Sequence, residues 1–306
     1  MTAGSAGTAA TAGRSARGYA LVVLAACLWA TIGVFFKYLI GGHGVAPVAA
    51  AAYRGLVGGF ILLLALLLFR QDLRVARRDW PMFLAYGIFG VSIFFAAYSN
   101  AVNLTGVALA AVLLYTAPAW VALVSWRWLG EHLGRRGLIA LALALAGVVL
   151  VAQIYDPAKL RVHGAGILLG LVAGLTYGLY TVFNKVLVRR YRPWVVQVWG
   201  LFIGCLPLLA FVPQAALVAD WSDPGAVALI IGVGLVPTLL GTLIFLIGVQ
   251  WVPASVASIL ATLELAVATL FGYVLFGERL ALGQLAGGAL ILAAVILLRP
   301  GSHSEN

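Results

Sequence analysis

Glu264 is a carboxylate set in the middle of a long apolar run, with Leu263, Leu265, Ala266 and Val267 around it. A charge at membrane depth is costly and often marks function. There it needs a partner or an aqueous cavity, and it could bind an ammonium group or carry a proton. A structural hydrogen bond to a facing helix explains it equally well. Its counterpart under the internal repeat described below is Ala117, beside Pro118, which removes a backbone donor and can kink a helix. Aromatic and small polar residues gather at similar depth: Trp29, Tyr98, Asn100, Asn103, Tyr115, Thr116, Tyr177, Tyr180, Thr181 and Asn184. Aromatic walls with a few polar groups suit a small amphipathic ligand, so Trp29, Tyr98, Asn100, Tyr115, Tyr177, Tyr180, Thr181 and Glu264 form the expected cavity set. Arg54 lies about two turns into an apolar run, where it could pair with a carboxylate or snorkel outward, and structural anchoring is the expectation. Trp80, Trp126, Trp128, Trp194 and Trp251 fall near the ends of such runs, where interfacial anchoring explains them.

Hydrolytic and redox chemistry finds no support. There is no His-Glu-x-x-His pattern, no Gly-x-Ser-x-Gly elbow, no paired intramembrane aspartate and no Walker-type phosphate loop. Asp72, Asp79, Asp156, Asp220 and Asp223 sit in loops or at the edges of apolar runs. Cys27 and Cys205 read as small buried hydrophobes. No enzyme activity, metal or cofactor is expected.

The elements that must position these residues are membrane helices. Hydrophobic residues make up 64% of the 306 and charged residues 9%, with mean hydropathy +1.09. A soluble domain is about half apolar and about a quarter charged. Ten runs approach the roughly 20 residues a span requires: 18–39, 46–69, 80–102, 105–126, 137–154, 163–187, 194–212, 224–250, 254–276 and 281–298. The expected fold is an all-α membrane protein of ten transmembrane helices. Residues 1–17 read as a disordered tail, 155–162 as a linker and 299–306 as a second tail. Pro237, in the eighth run, is a second expected hinge.

The chain repeats. Gly130-Glu131 recurs as Gly277-Glu278, 147 residues on, and the same shift pairs Val102 with Val249, Leu113 with Leu260 and Gly87 with Gly234. Shifts of 148 and 146 pair Phe35-Phe36-Lys37 with Phe183-Asn184-Lys185, Trp29 with Tyr177, and Gly58 with Gly204. The halves are 18–154 and 163–298. Fourteen Lys and Arg fall on the N-terminal side of the bilayer and four on the other, which puts both termini in the cytoplasm. The net charge of +10 is therefore an orientation signal rather than a nucleic-acid one. Five spans per half is odd, so the second half enters from the opposite face and the repeat is inverted. Glu131 and Glu278 precede helices and are expected to cap them. Lys37 and Lys185 are expected to snorkel at opposite faces. Gly166, Gly170, Gly174 and Gly178 form a smooth stripe for close helix packing. A homodimer is compatible with such stripes but not required.

These features together resemble the EamA-type branch of the drug/metabolite transporter superfamily. The likeness rests on ten spans in two halves, the Trp29-to-Lys37 stretch and its counterpart ending at Lys185, Arg54, and the duplicated Gly-Glu. It covers nearly the whole chain. Many members carry Glu-Pro where this chain has Glu264-Leu265. The resemblance implies a central cavity between the halves and export or exchange of amino acids and other metabolites. The expected protein is thus a secondary transporter in the inner (cytoplasmic) membrane, exporting small amphipathic metabolites by alternating access, with protons as a candidate coupling ion through Glu264. A channel, a lipid flippase or, further off, an intramembrane enzyme are the alternatives.

Overall fold

The structure is a computed structural model that describes residues 3–157 and 163–300. Lys159 and Arg161, counted above for orientation, lie outside the described residues, as do most of the linker and the last six positions. The described residues are helical with no strands. The order is α1 (Ala3–His43), α2 (Pro47–Leu68), α3 (Trp80–Gly87), α4 (Phe94–Leu114), α5 (Ala117–Val124), α6 (Arg135–Val151), α7 (Gly164–Leu187), α8 (Pro193–Cys205), α9 (Gln214–Ser222), α10 (Pro224–Val233), α11 (Thr242–Gly248), α12 (Ala254–Ala261), α13 (Leu263–Phe276) and α14 (Leu282–Leu297). α1 begins at Ala3, inside the stretch expected to be a disordered tail. Its Ala-rich composition favours helix and continues directly into the first apolar run.

Local sequence sets the breaks. Pro47, Pro193 and Pro224 begin α2, α8 and α10, where a missing N–H costs nothing. Gly130 and Gly277 end the runs before them at φ +67° and +66°, a left-handed conformation suited to glycine. Wide π-type turns join α3 to α4 (Ile88–Ile93) and α10 to α11 (Gly234–Gly241) at matching places in the two halves. Pro237 lies inside the second, and Pro118 stands in the first turn of α5, just after the break at Tyr115.

Among the described residues, seven helices are long and apolar enough to cross a membrane. The expected ten differ for local reasons. Helical backbone runs on from Arg77 to Leu114 across a break at Gly106 (φ +79°), merging two expected spans. Arg135–Val151 has 17 residues and Leu282–Leu297 has 16, each short of a full crossing.

Packing follows the repeat. Where α1 meets α13, α7 meets α5; where α1 meets α11 and α12, α7 meets α4; and where α2 meets α10 and the turn after it, α8 meets α3 and the turn after that. A Cβ on Gly58 would touch the Gly234 carbonyl oxygen at 2.7 Å, and one on Gly87 would come within 3.0 Å of the Gly204 nitrogen. These are the same contact made twice, since Gly58 pairs with Gly204 and Gly87 with Gly234. The glycine stripe of α7 is occupied from within the chain. Cβ atoms on Gly166, Gly170 and Gly174 would strike Thr105, Leu113 and Thr116 of the α4 region. α6 and α14 approach through Gly147 and Gly287.

Candidate functional site

Glu264 opens the first turn of α13, just after the break at Thr262 that separates α12 from α13. Its carboxylate lies within electrostatic reach of the Arg54 guanidinium from α2 and faces the Tyr177 hydroxyl from α7. Tyr98 and Tyr115, from α4 and its C-terminus, feel the same carboxylate. Glu264, Tyr98, Tyr177 and Tyr180 are each half-buried and keep some accessible surface.

Arg54 does not snorkel outward. Its Nη1 donates to Thr238 Oγ1 at 3.1 Å, and the guanidinium lies over the Phe95 ring, 4.8 Å from the centroid. The carboxylate and the π face inside offer more to a cation than a long reach through apolar neighbours. Thr238 sits in the π-type turn around Pro237, which leaves carbonyls free. Gln197, with no exposed surface, takes two of them, donating to Thr238 O at 2.8 Å and Leu239 O at 3.1 Å. Gln197 thereby fixes the turn that holds Arg54.

The aromatic side chains form one continuous wall. Tyr98 stacks on Phe94 at 6.1 Å, Phe94 on Tyr177 at 5.2 Å, and Tyr177 lies 6.3 Å from Tyr180. Tyr180 stacks on Phe245 at 6.4 Å, and Phe245 meets Trp29 at 4.9 Å. The wall crosses between the halves twice. Deeper in, the hydroxyls of Tyr86, Tyr180 and Thr242 gather near the buried Asn184 amide.

Of the expected cavity set, Trp29, Tyr98, Tyr115, Tyr177, Tyr180 and Glu264 come together. Thr181 is buried on α7. Asn100 stands apart: it is exposed and its Nδ2 donates to Ala96 O at 2.8 Å, one turn back on its own helix. Sequence reasoning passed over Tyr86, Gln197, Thr242, Phe94, Phe95 and Phe245. Gln197, a buried amide in an apolar run, carried a usable signal; the phenylalanines carried none.

The duplicated glutamates do not cap the helices that follow them. Glu131 Oε2 accepts from the backbone N–H of Ala254 at 2.7 Å, so it caps α12, in the other half. Glu278 Oε1 binds Lys37 Nζ at 2.7 Å. Nor does Lys185 snorkel, although Lys37 keeps an exposed side chain at its ion pair with Glu278. Lys185 is buried and donates to Val249 O and Val252 O, both at 2.6 Å, closing the C-terminus of α11.

A recess of about 550 Å³ lies elsewhere, against the start of α1 and lined by Ala16, Tyr19, Val23, Cys27, Arg299 and Pro300. The Tyr19 hydroxyl there is already bonded to Val295 O, and no cluster of polar groups converges on the space. The chemistry converges at Glu264 instead.

Comparison with known proteins agrees with a two-fold chain. The profile described as the EamA-like transporter family matches residues 16–153 and again 164–299. A protein of Archaeoglobus fulgidus named an uncharacterized transporter is 35% identical over 280 residues, covering 92% of this chain and 95% of that one. The Bacillus subtilis uncharacterized transporter YwfM is 29% identical over 290 residues, covering 93% and 94%. A crystal structure with 20% identity superposes with a TM-score of 0.76, covering 92% of this chain and 97% of that one. At that identity the likeness speaks for the fold.

Proposed function

The chain belongs to the EamA-like transporter family, and from that premise we propose that it is a secondary transporter exporting a small amphipathic metabolite, such as an amino acid, by alternating access around Glu264. The observation that carries this reading is the meeting of Glu264 and Arg54 beside one aromatic wall, on side chains from α2, α4, α7 and α13, and a crevice there is part of the reading. A carboxylate and a guanidinium at that depth offer one partner to an ammonium group and one to a carboxylate. The tyrosine faces add cation–π attraction for the former.

In this reading Gly106 separates two spans and the short helices Arg135–Val151 and Leu282–Leu297 cross with help from their flanks, which gives ten. The two repeats are 18–154 and 163–298, and they are inverted. Support comes from α1. A Cβ on Gly18 would lie 2.9 Å from the Gly248 carbonyl oxygen, close to the Glu131 cap on Ala254, whereas Lys37 meets Glu278. Gly18 and Lys37 are about 28 Å apart at about 1.5 Å per helical residue. The two Gly-Glu copies thus sit near opposite ends of one helix. The positive-inside bias then sets both termini in the cytoplasm and the protein in the cytoplasmic membrane. Rocking of the repeats would expose the crevice to each face in turn, and a gradient supplies the energy, with protons through Glu264 as the coupling to examine.

Two measurements test this. The purified protein is screened for ligand-induced rises in Tm with amino acids, nucleosides, sugars and cationic drugs, since a ligand of the folded state stabilises it. Hits are then followed in proteoliposomes. Saturable counterflow that Glu264→Gln abolishes supports the reading. Flux that does not saturate would indicate a channel, and movement of labelled lipid a flippase.

A further inference from the structure

We infer that Lys37 with Glu278 and Lys185 with Glu131 are alternating latches, one at each mouth of the crevice, which trade roles when the protein changes the face it opens to. The inference rests on the inverted-repeat reading above and adds what holds each mouth shut. The two lysines are repeat mates and so are the two glutamates. Each lysine approaches the glutamate of the other repeat: Lys37 directly, at 2.7 Å, and Lys185 within electrostatic reach of Glu131.

The mates are chemically alike but engaged differently. At one end both charges are spent on the connection between α11 and α12. Lys185 closes the carbonyls at the end of α11, with Val249 O and Val252 O at 2.6 Å and Gln250 O at 3.4 Å. Glu131 takes the Ala254 N–H that opens α12. Cation at a C-terminus and anion at an N-terminus both suit the helix dipoles. That mouth is tied, and Lys185 is 7% exposed. At the other end the charges are spent on each other. The side chains of Lys37 and Glu278 are 48% and 57% exposed, and the ammonium rests 3.7 Å from the centroid of the Phe276 ring.

The connection they leave alone is the repeat mate of the tied one. Under the 147-residue shift, Val249, Val252, Pro253 and Ala254 correspond to Val102, Thr105, Gly106 and Val107. Gly106 is already broken at φ +79° and ψ +165°. In the opposite state Lys37 closes the Val102 and Thr105 carbonyls and Glu278 takes the Val107 N–H. Lys185 and Glu131 then release the α11–α12 connection and pair with each other. Each latch is thus an ion pair in its open mouth and two helix caps in its closed one, so the charges are never left without partners and neither state is strongly favoured.

The test reads accessibility and needs no substrate. The full chain, with Cys27 and Cys205 replaced by alanine and a reporter thiol introduced by Tyr98→Cys, is reconstituted and labelled with a membrane-impermeant maleimide from each face. Lys185→Gln weakens closure at its mouth and is expected to raise labelling from that face about tenfold relative to the other, the scale of one charge-assisted hydrogen bond. Lys37→Gln is expected to shift the ratio about tenfold the other way. The double exchange Lys37→Glu with Glu278→Lys restores an ion pair but leaves no donor for the carbonyls and no acceptor for the N–H, so its ratio should match that of Lys37→Gln. Shifts in one direction, no shift, or rescue by the exchange would overturn the latches and leave a static salt bridge. Glu131→Gln and Glu278→Gln repeat the test if a lysine variant folds poorly. Labelling from only one face in every variant would sink alternating access itself. Opposite shifts with no transported substrate found would keep the latches and remove the transport reading.

Discussion

Phe94 and Tyr177 stack with centroids 5.2 Å apart and planes 25° from parallel. One ring belongs to each repeat, and the Tyr177 hydroxyl faces Glu264 while its ring continues the wall toward Tyr180. A single side chain therefore joins the packing between halves to the chemistry of the site.

The two roles of Tyr177 should separate by substitution. Tyr177→Phe keeps the stack and should leave Tm within about 1 kcal/mol of wild-type stability while weakening ligand binding. Tyr177→Ala should lose both, with a stability cost of about 3 kcal/mol from the cavity left behind. Thermal melting with and without ligand checks this. Equal effects of the two variants would mean that the hydroxyl does nothing.

Glu264→Gln keeps size and hydrogen bonding and removes the charge that Arg54 faces. Transport should fall at least tenfold and lose its dependence on pH. Initial rates across a pH series decide, and an unaltered profile would end the idea of proton coupling through this group.

Gly147 and Gly287 let α6 and α14 touch backbone to backbone. A methyl on Gly147 would sit 2.7 Å from the Gly287 carbonyl oxygen, and one on Gly287 would sit 2.5 Å from the Gly147 oxygen. Gly147→Ala should therefore destabilise by about 1–3 kcal/mol through overpacking. Gly288→Ala, one residue along with open space at its Cβ, should be nearly neutral. A detergent melt comparing the two is the check, and similar Tm values would refute the close approach.

Asp223 caps α10 and binds His43 at 2.5 Å. The His43 hydrogen bond, with the Gly225 and Ala226 amides, holds its carboxyl below the usual carboxylate range. Because the folded value is the lower one, the stabilisation is complete above the unfolded value of about 3.9 and is lost as pH falls through the folded one. Asp223→Asn should flatten the loss of Tm as pH falls below about 4. A variant as acid-sensitive as the parent would show that the capping carboxylate contributes nothing to it.

Hydropathy and composition made the membrane class legible because they are sums over neighbours in the chain, and a bilayer reads such sums directly. The half-chain shift was legible for the same reason: it compares residues with residues. Trp29, Tyr177 and Glu264 could be singled out because a polar or aromatic group in an apolar run is conspicuous wherever the run ends up. The sequence determined, on these grounds, a duplicated helical membrane chain with polar groups inside its apolar runs. It could not determine their partners. Arg54 turns inward only because α2 packs where Thr238 and Phe95 can receive it. Glu131 caps a helix 123 residues away, and Lys37 finds Glu278 across 241 residues. A lone charge in a run reads the same whether it will snorkel, cap or pair, since each outcome depends on which atoms lie within about 3 Å after the helices close. Only the tertiary structure fixes that distance, and with it the difference between an anchor, a cap and a site.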